Sequence, residues 1–198
     1  MENQRLFLKY SKGKHWENHP TSYVDYFTSF LWRNVDKKTL SHNFEIADLG
    51  SGTGRDVNRF HQCQFAAIGL DNDSNACQTA KNECNYAPHA FYLCDIEHLP
   101  FLDNSRWAYF CINVMHYVNQ EKVLGEIYRT LKAGGYAFIH FNLLIIDDNY
   151  SIDYNQKKSD VYELVKKFEI VEEKIFLRED TSPTPHTHHV MQVILKKN

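Results

Sequence analysis

The sequence predicts a doubly wound α/β domain, on three observations. Short apolar runs alternate with helical patterns from Phe44 to Gly135. Glycines at alternating positions separate the first apolar run from the first helical pattern. The 198 residues suit one domain of ordinary size, with no repeat, low-complexity tract or Pro/Gly-rich linker to divide it.

Phe44 to Leu49 reads as the first strand and Arg55 to Cys63 as the helix after it. Ala66 to Leu70 is the second strand, stopped by Asp71, and Asn72 or Ser74 caps a helix that aligns Ala76, Cys77, Ala80 and Cys84. Ala90 to Cys94 and Trp107 to Asn113 are the third and fourth strands. Asn119 caps a helix whose buried face is Val123, Leu124, Ile127, Tyr128 and Leu131, and Gly134-Gly135 is expected to end it as a left-handed cap. Tyr136 to Phe141 is the fifth strand and Asp160 to Phe168 a helix. Glu169 to Leu177 and Val190 to Lys196 are two more strands, joined by the turn-rich stretch 180–185. The last two lie too close for a helical crossover, so they form an antiparallel hairpin. The expectation is a seven-stranded, mainly parallel sheet with one antiparallel strand and helices on both faces.

Composition narrows the function classes. Hydrophobic residues make up 43% and charged residues 24%, as in a globular chain. The net charge of -3 and a pI near 6.4 leave no basic excess for phosphate backbones, so no nucleic-acid partner is expected. The most apolar run, Tyr136 to Ile146, contains His140 and Asn142 and is too short to span a bilayer. Met1 to Lys12 holds no secretory-type apolar stretch. The five cysteines, odd in number and without a C-x-x-C pair, read as free thiols of a cytoplasmic protein.

The chemistry concentrates in Asp48-Leu49-Gly50-Ser51-Gly52-Thr53-Gly54-Arg55. Glycine lets a chain turn sharply and lets a ligand approach a backbone that carries no Cβ. A dinucleotide loop would need its third glycine at position 55, where Arg55 stands, and a P-loop would need Gly-Lys-Ser/Thr. Asp48 suits a ligand with a cationic amino-acid end, and Asp71 falls where an acidic side chain can accept hydrogen bonds from ribose hydroxyls.

Five segments in this order, Asp48–Gly54, Gly69–Asp71, Cys94–Phe101, Asn113–Val118 and Leu131–Gly135, resemble the class I S-adenosylmethionine (SAM)-dependent methyltransferases, which share a Rossmann-like fold. The resemblance runs along nearly the whole chain, with Ala133 where the family usually has Pro. It implies SAM as cofactor, held by Asp48, Gly50, Ser51, Gly52, Thr53 and Gly54 around its methionyl part, by Asp71 at the ribose, and by Asn72, Asp95 and Ile96 near the adenine. Asn113 would offer its backbone carbonyl to the donor's ammonium.

The acceptor site should lie at the carboxyl ends of the fourth and fifth strands, which selects His116, Tyr117 and His140 as catalytic candidates, with Asn142 beside them. No Asn/Asp-Pro-Pro-Tyr motif and no Pro-Cys dipeptide is present, so amine methylation and covalent cytosine methylation in nucleic acids are disfavoured. A metal at His186, His188 and His189 is not expected, since no cysteine or acidic ligand lies at suitable spacing beside them. The aromatic segment Tyr10 to Tyr26 is weakly similar to the N-terminal cover of thiopurine and tellurite-resistance methyltransferases. The expectation is therefore one domain over residues 1–198, with residues 1–40 as a helical cover, acting on a small molecule as a monomer or homodimer. The contrasting reading is a non-catalytic partner or SAM sensor built on the same fold.

Overall fold

In the computed structural model, residues 5, 6, 9, 21–41, 44–84, 89–181 and 184–198 are described. In chain order the elements are α1 (Ser22–Asn34), α2 (Lys37–Ser41), β1 (Glu45–Leu49), α3 (Arg55–Gln62), β2 (Ala66–Asp71), α4 (Ser74–Glu83), β3 (Phe91–Leu93), β4 (Arg106–Cys111), α5 (Gln120–Thr130), β5 (Leu131–Asp147), β6 (Ile152–Asn155), α6 (Lys158–Val165), β7 (Glu169–Asp180) and β8 (His186–Lys196). A short 3-10 turn, Met115–Tyr117, follows β4.

The sheet runs β3-β2-β1-β4-β5-β8-β7. Strands β1 to β5 are parallel, while β8 runs antiparallel between β5 and β7. This is the seven-stranded, mainly parallel sheet with one antiparallel strand expected from the sequence. An eighth strand, β6, is an addition: it folds back antiparallel onto the far end of β5.

Helices cover both faces. On one face Val24, Phe27, Phe30 and Leu31 of α1 and Val57 and Phe60 of α3 pack on Ala108, Phe110 and Phe138 of the sheet. An aromatic column runs through this layer, with ring centroids 5.1 Å apart for Phe60–Phe110 and for Phe110–Phe138, and 5.4 Å for Phe27–Phe138. On the other face Val123, Leu124 and Ile127 of α5 and Val161 and Val165 of α6 cover Tyr109, Cys111, Ala137 and Ile139. The inner strands are apolar almost without interruption because both of their faces are buried. All five cysteines are free thiols.

Local details depart from expectation in three places. Helix α4 is capped by Asp73, not Asn72 or Ser74: its carboxylate accepts the backbone N–H groups of Asn75 (2.8 Å) and Ala76 (3.3 Å). Strand β5 is seventeen residues long rather than six, because β8 pairs with it from Tyr136 to Asp147, far past the end of β4. Helix α5 starts at Asn119 as expected, but it does not end at Gly134-Gly135. It turns extended at Leu131, and the Lys197 ammonium takes over the helix-end carbonyls, donating to Tyr128 O (2.6 Å), Leu131 O (2.8 Å) and Asn104 Oδ1 (2.8 Å). Gly134 is left-handed, and its N–H goes to Lys197 O.

Lys197 is 9% exposed, so removing its charge strands buried acceptors. Lys197→Met is expected to lower unfolding stability by about 2–3 kcal/mol in urea titration. A loss below half a kcal/mol would mean that water replaces the ammonium.

Candidate functional site

The site begins where β1 ends. Asp48 and Leu49 lie in register with Gly69 and Leu70 of β2. The chain then folds back, and the N–H groups of Gly50 and Ser51 both donate to Leu70 O, at 2.7 and 3.1 Å. This close approach needs small residues. A Cβ on Gly69 would strike Ser51, and one on Gly50 would strike Val114. Gly52 differs: a Cβ there would meet nothing within 4 Å, so the middle of the loop borders open space. Thr53 is exposed, Ser51 is buried, and Gly54 turns left-handed (φ 82) to start α3.

Carboxylates frame the loop. Asp48 is 3% exposed, and burial, followed by the charge of Asp56 and, more weakly, of Asp71, pushes its carboxyl well above the usual range. Asp71 accepts the Gly52 N–H at 2.8 Å on one oxygen and the Asp73 N–H at 2.9 Å on the other. Each oxygen keeps a further lone pair for a ligand hydroxyl. Burial raises the Asp71 carboxyl as well. Asn72 is exposed next to it. Asp95 is exposed and closes a turn, accepting the Glu97 N–H (2.9 Å) and pairing with His98 Nδ1 (3.2 Å), while the Ile96 side chain is buried in the core.

Asn113, just past β4, holds a left-handed backbone (φ 60) and accepts a hydrogen bond from the Arg178 guanidinium. A non-glycine residue there stores strain that is common at functional sites. Val114 presses on Gly50, so this turn and the glycine loop form one wall.

Beyond Asn113 lies a buried polar cluster. The Asn142 amide donates to His116 Nδ1 at 2.8 Å, and its oxygen accepts from His188 Nδ1 at 3.1 Å. Proton placement follows: His116 carries its hydrogen on Nε2, a buried atom with no hydrogen-bond partner among the described residues. Burial, then the nearby His188 and Arg178, keep His116 well below the ordinary imidazole range, hence neutral. Tyr117 leans on the His116 ring at 3.8 Å between centroids.

His140 is set apart from this cluster. Its Nε2 bonds Gln192 Oε1 at 3.2 Å, Tyr23 meets its ring edge-on at 4.5 Å, and Phe138 and Phe176 complete an aromatic box. Burial lowers its pKa to about 3, and its buried Nδ1 has no hydrogen-bond partner among the described residues. Trp16 and the rest of 10–20 lie outside the described residues.

Two polar residues of this region were not singled out from the sequence, Arg178 and Asp180. They sit at alternate positions on β7, facing His188 and His186 in the β8 register. The available signal was Arg-x-Asp followed across a turn by His-x-His, hidden because 180–185 reads as a loop. A groove of about 290 Å³ is lined by Trp32, Leu40 and Phe65 at the amino end of β1 and β2, opposite the glycine loop.

A parallel sheet of this order, with a glycine loop after β1 and a carboxylate ending β2, defines a nucleoside-binding α/β domain. Residues 47–139 match a family described as "Methyltransferase domain". Over 146 residues the chain is 30% identical to the sterol 24-C-methyltransferase erg6 of Schizosaccharomyces pombe, a match covering 64% of this chain and 37% of that protein. It thus spans little more than a third of the length of this curated relative. Among solved structures, TehB from Haemophilus influenzae superposes with a TM-score of 0.67 at 14% identity, covering 100% of this chain and 67% of that one. The SAM-bound magnesium protoporphyrin IX methyltransferase of Synechocystis gives 0.62 at 14% identity, over 89% and 79%. Residues 47–139, just under half of the chain, are thus similar to a methyltransferase domain, and the solved methyltransferase structures share the fold of the whole chain.

The glycine geometry separates folding from binding. Gly52→Ala puts a methyl into open space at a left-handed position, costing about 1–2 kcal/mol of stability. Gly54→Ala must also displace the Phe91 ring and Ala80. Gly54→Ala is therefore expected to melt at a lower temperature than Gly52→Ala, while Gly52→Ala loses affinity for S-adenosylhomocysteine in calorimetry. Unchanged affinity in Gly52→Ala would place the ligand elsewhere.

Proposed function

We propose that this chain transfers the methyl group of SAM to a small-molecule acceptor by in-line displacement. The reading takes residues 1–198 as one catalytic domain, with residues 1–40 covering the cleft. The observation that carries it is Asp48: a carboxyl pushed well above the usual range by burial and then by the charge of Asp56, beside a loop that borders open space. Such a group favours a ligand that brings positive charge, and SAM carries an ammonium and a sulfonium. In this reading Asp71 takes the ribose hydroxyls, and Asn113 offers its backbone carbonyl to the ammonium.

Bound SAM supplies an already activated methyl, so the protein's own task is alignment, worth roughly 7–11 kcal/mol. His116 offers Nε2–H as a hydrogen-bond donor to an acceptor oxygen or nitrogen, not as a base. His140 offers the lone pair of Nδ1. With its proton affinity reduced by burial, it orients an acceptor proton better than it removes one. The rings of Tyr23, Phe138, Phe176 and Tyr117 supply aromatic walls. The net charge of -3 disfavours nucleic acid. No helix among the described residues is long and apolar enough to cross a membrane. Structural neighbours at 10% and 14% identity are named for geranyl diphosphate and magnesium protoporphyrin IX, both small molecules.

The cover rests on two anchors. Lys9 pairs with Asp147 (3.1 Å) and Asp153 at the β5–β6 end, and Leu6 is buried against Ile145. Thr21 donates its N–H (2.7 Å) and hydroxyl (3.1 Å) to Asp56 beside the glycine loop. Residues 10–20 connect these two points.

Turnover to S-adenosylhomocysteine, screened over thiols, amines, carboxylates, phenols and metalloid oxyanions, tests the activity; no turnover with any class would favour the sensor reading. Replacing residues 10–20 by a Gly/Ser linker of equal length is expected to abolish turnover and to leave SAM binding nearly intact. Full turnover would reduce the segment to packing. Asp48 makes a two-sided prediction. Its folded pKa is raised, so the apoprotein gains stability as pH falls through that pKa and loses it as pH rises. Asp48→Asn should then melt higher than wild type at neutral pH while binding SAM at least tenfold more weakly. It should also lose the wild-type decline of affinity with acidification, as read by calorimetry across pH. A variant that melts lower and binds normally would remove Asp48 from the donor site.

A further inference from the structure

We infer that the hairpin β7–β8 carries a binding site for one divalent first-row transition metal, with Asp180, His186 and His188 as ligands. Among the described residues these three form a group whose ligand atoms all lie within 4.8 Å of one another. Asp180 Oδ2 is 3.7 Å from His186 Nε2 and 3.5 Å from His188 Nε2. The side chains are 12%, 1% and 3% exposed.

The strand pattern builds this arrangement. His186 and His188 are two apart on β8 and share a face. Asp180 stands directly opposite His186 in the β7–β8 register, and Arg178 opposite His188. The ligand missing from the local sequence is thus supplied across the turn.

The protonation pattern decides what the cluster can hold. His186 Nδ1 donates to Thr184 O at 2.6 Å, and His188 Nδ1 donates to Asn142 Oδ1 at 3.1 Å. With both hydrogens fixed on Nδ1, both Nε2 atoms present lone pairs to a carboxylate oxygen. Locking of one ring nitrogen by a carbonyl is how ligating histidines are oriented toward a metal. His188 Nε2 is buried and, apart from Asp180 Oδ2 at 3.5 Å, has no hydrogen-bond partner among the described residues. Arg178 grips both oxygens of Asp180, with Nε 3.2 Å from Oδ1 and Nη2 donating to Oδ2 at 3.3 Å, and so fixes the plane of the carboxylate beside the histidines.

A metal bound at about 2.0–2.2 Å from nitrogen and oxygen ligands requires ligand atoms about 3.0–3.5 Å apart. The Asp180–His188 separation already falls in this range, Asp180–His186 needs to close by about 0.2 Å, and the two Nε2 atoms, within 4.8 Å of one another, draw together on binding. Two neutral imidazoles and one carboxylate suit zinc, iron, manganese or cobalt, and not calcium or magnesium, which take oxygen ligands. Three protein ligands leave positions open for water or an oxygen donor. The site is linked to the cleft through Asn142 to His116 and through Arg178 to Asn113.

The test uses untagged full-length protein, stripped with a chelator and titrated with Zn²⁺, Mn²⁺ and Co²⁺, with S-adenosylhomocysteine affinity measured in parallel. One equivalent of Zn²⁺ or Co²⁺ is expected to bind at micromolar affinity or tighter. The Co²⁺ protein should show visible ligand-field bands without an intense thiolate charge-transfer band. His188→Ala and Asp180→Asn should each weaken uptake at least tenfold, whereas His189→Ala, on the other face of β8, should not. No stoichiometric uptake by folded wild type, or a thiolate band marking one of the free cysteines, would overturn the site. Should the variants not fold, the wild-type Co²⁺ spectrum and a metal-dependent rise in melting temperature decide alone. Retained S-adenosylhomocysteine binding in the stripped protein separates failure here from failure of the donor site.

Discussion

The structure depends on one close approach, the return of the main chain after β1 onto the end of β2. Two successive N–H groups converge on the single carbonyl of Leu70, and Gly69 supplies the room. This fixes where Asp48 ends its strand, where Gly52 borders open space, and where α3 starts. Asp71, held by the Gly52 N–H, then closes the loop from the β2 side. Loop and carboxylate are one hydrogen-bonded unit, so under the proposed function both parts of the donor would meet a single element.

Electrostatics divides the cleft into unlike halves. The half around the glycine loop concentrates Asp48, Asp56 and Asp71, with Arg55 as the cation acting on the first two among the described residues. The other half holds histidines whose protons are displaced by burial, with Arg178 as the fixed cation. A cationic donor and a neutral or anionic acceptor fit this division. Asn142 ties the second half together because an amide can donate and accept at once.

Much of this was legible in the sequence, for physical reasons. A glycine loop after a strand, and inner strands apolar on both faces, leave clear local traces, and the mainly parallel sheet follows from them. The Asn119 cap was legible because its side chain acts within its own turn. What escaped was long-range. The expected cap at Gly134-Gly135 lost to Lys197, 63 residues on from Gly134, whose ammonium reaches the same helix end. The expected end of β5 at Phe141 ignored pairing with β8, which carries polar residues past the core. Asp180 was absent from the histidine cluster because cross-strand register, not spacing, places it there.

Asp56 connects these elements. It sits two residues after Gly54 in the first turn of α3, and its charge raises the Asp48 carboxyl. The same side chain receives both hydrogen bonds of Thr21, at the start of α1. A positive ligand beside Asp48 stabilises the charged form of both carboxylates, and a charged Asp56 is the stronger acceptor for Thr21. Under the proposed function, donor binding and the anchoring of Thr21 would draw on one electrostatic field, and each is expected to favour the other. A cover anchored more firmly when the donor is in place would exclude water from the methyl at the stage when alignment matters.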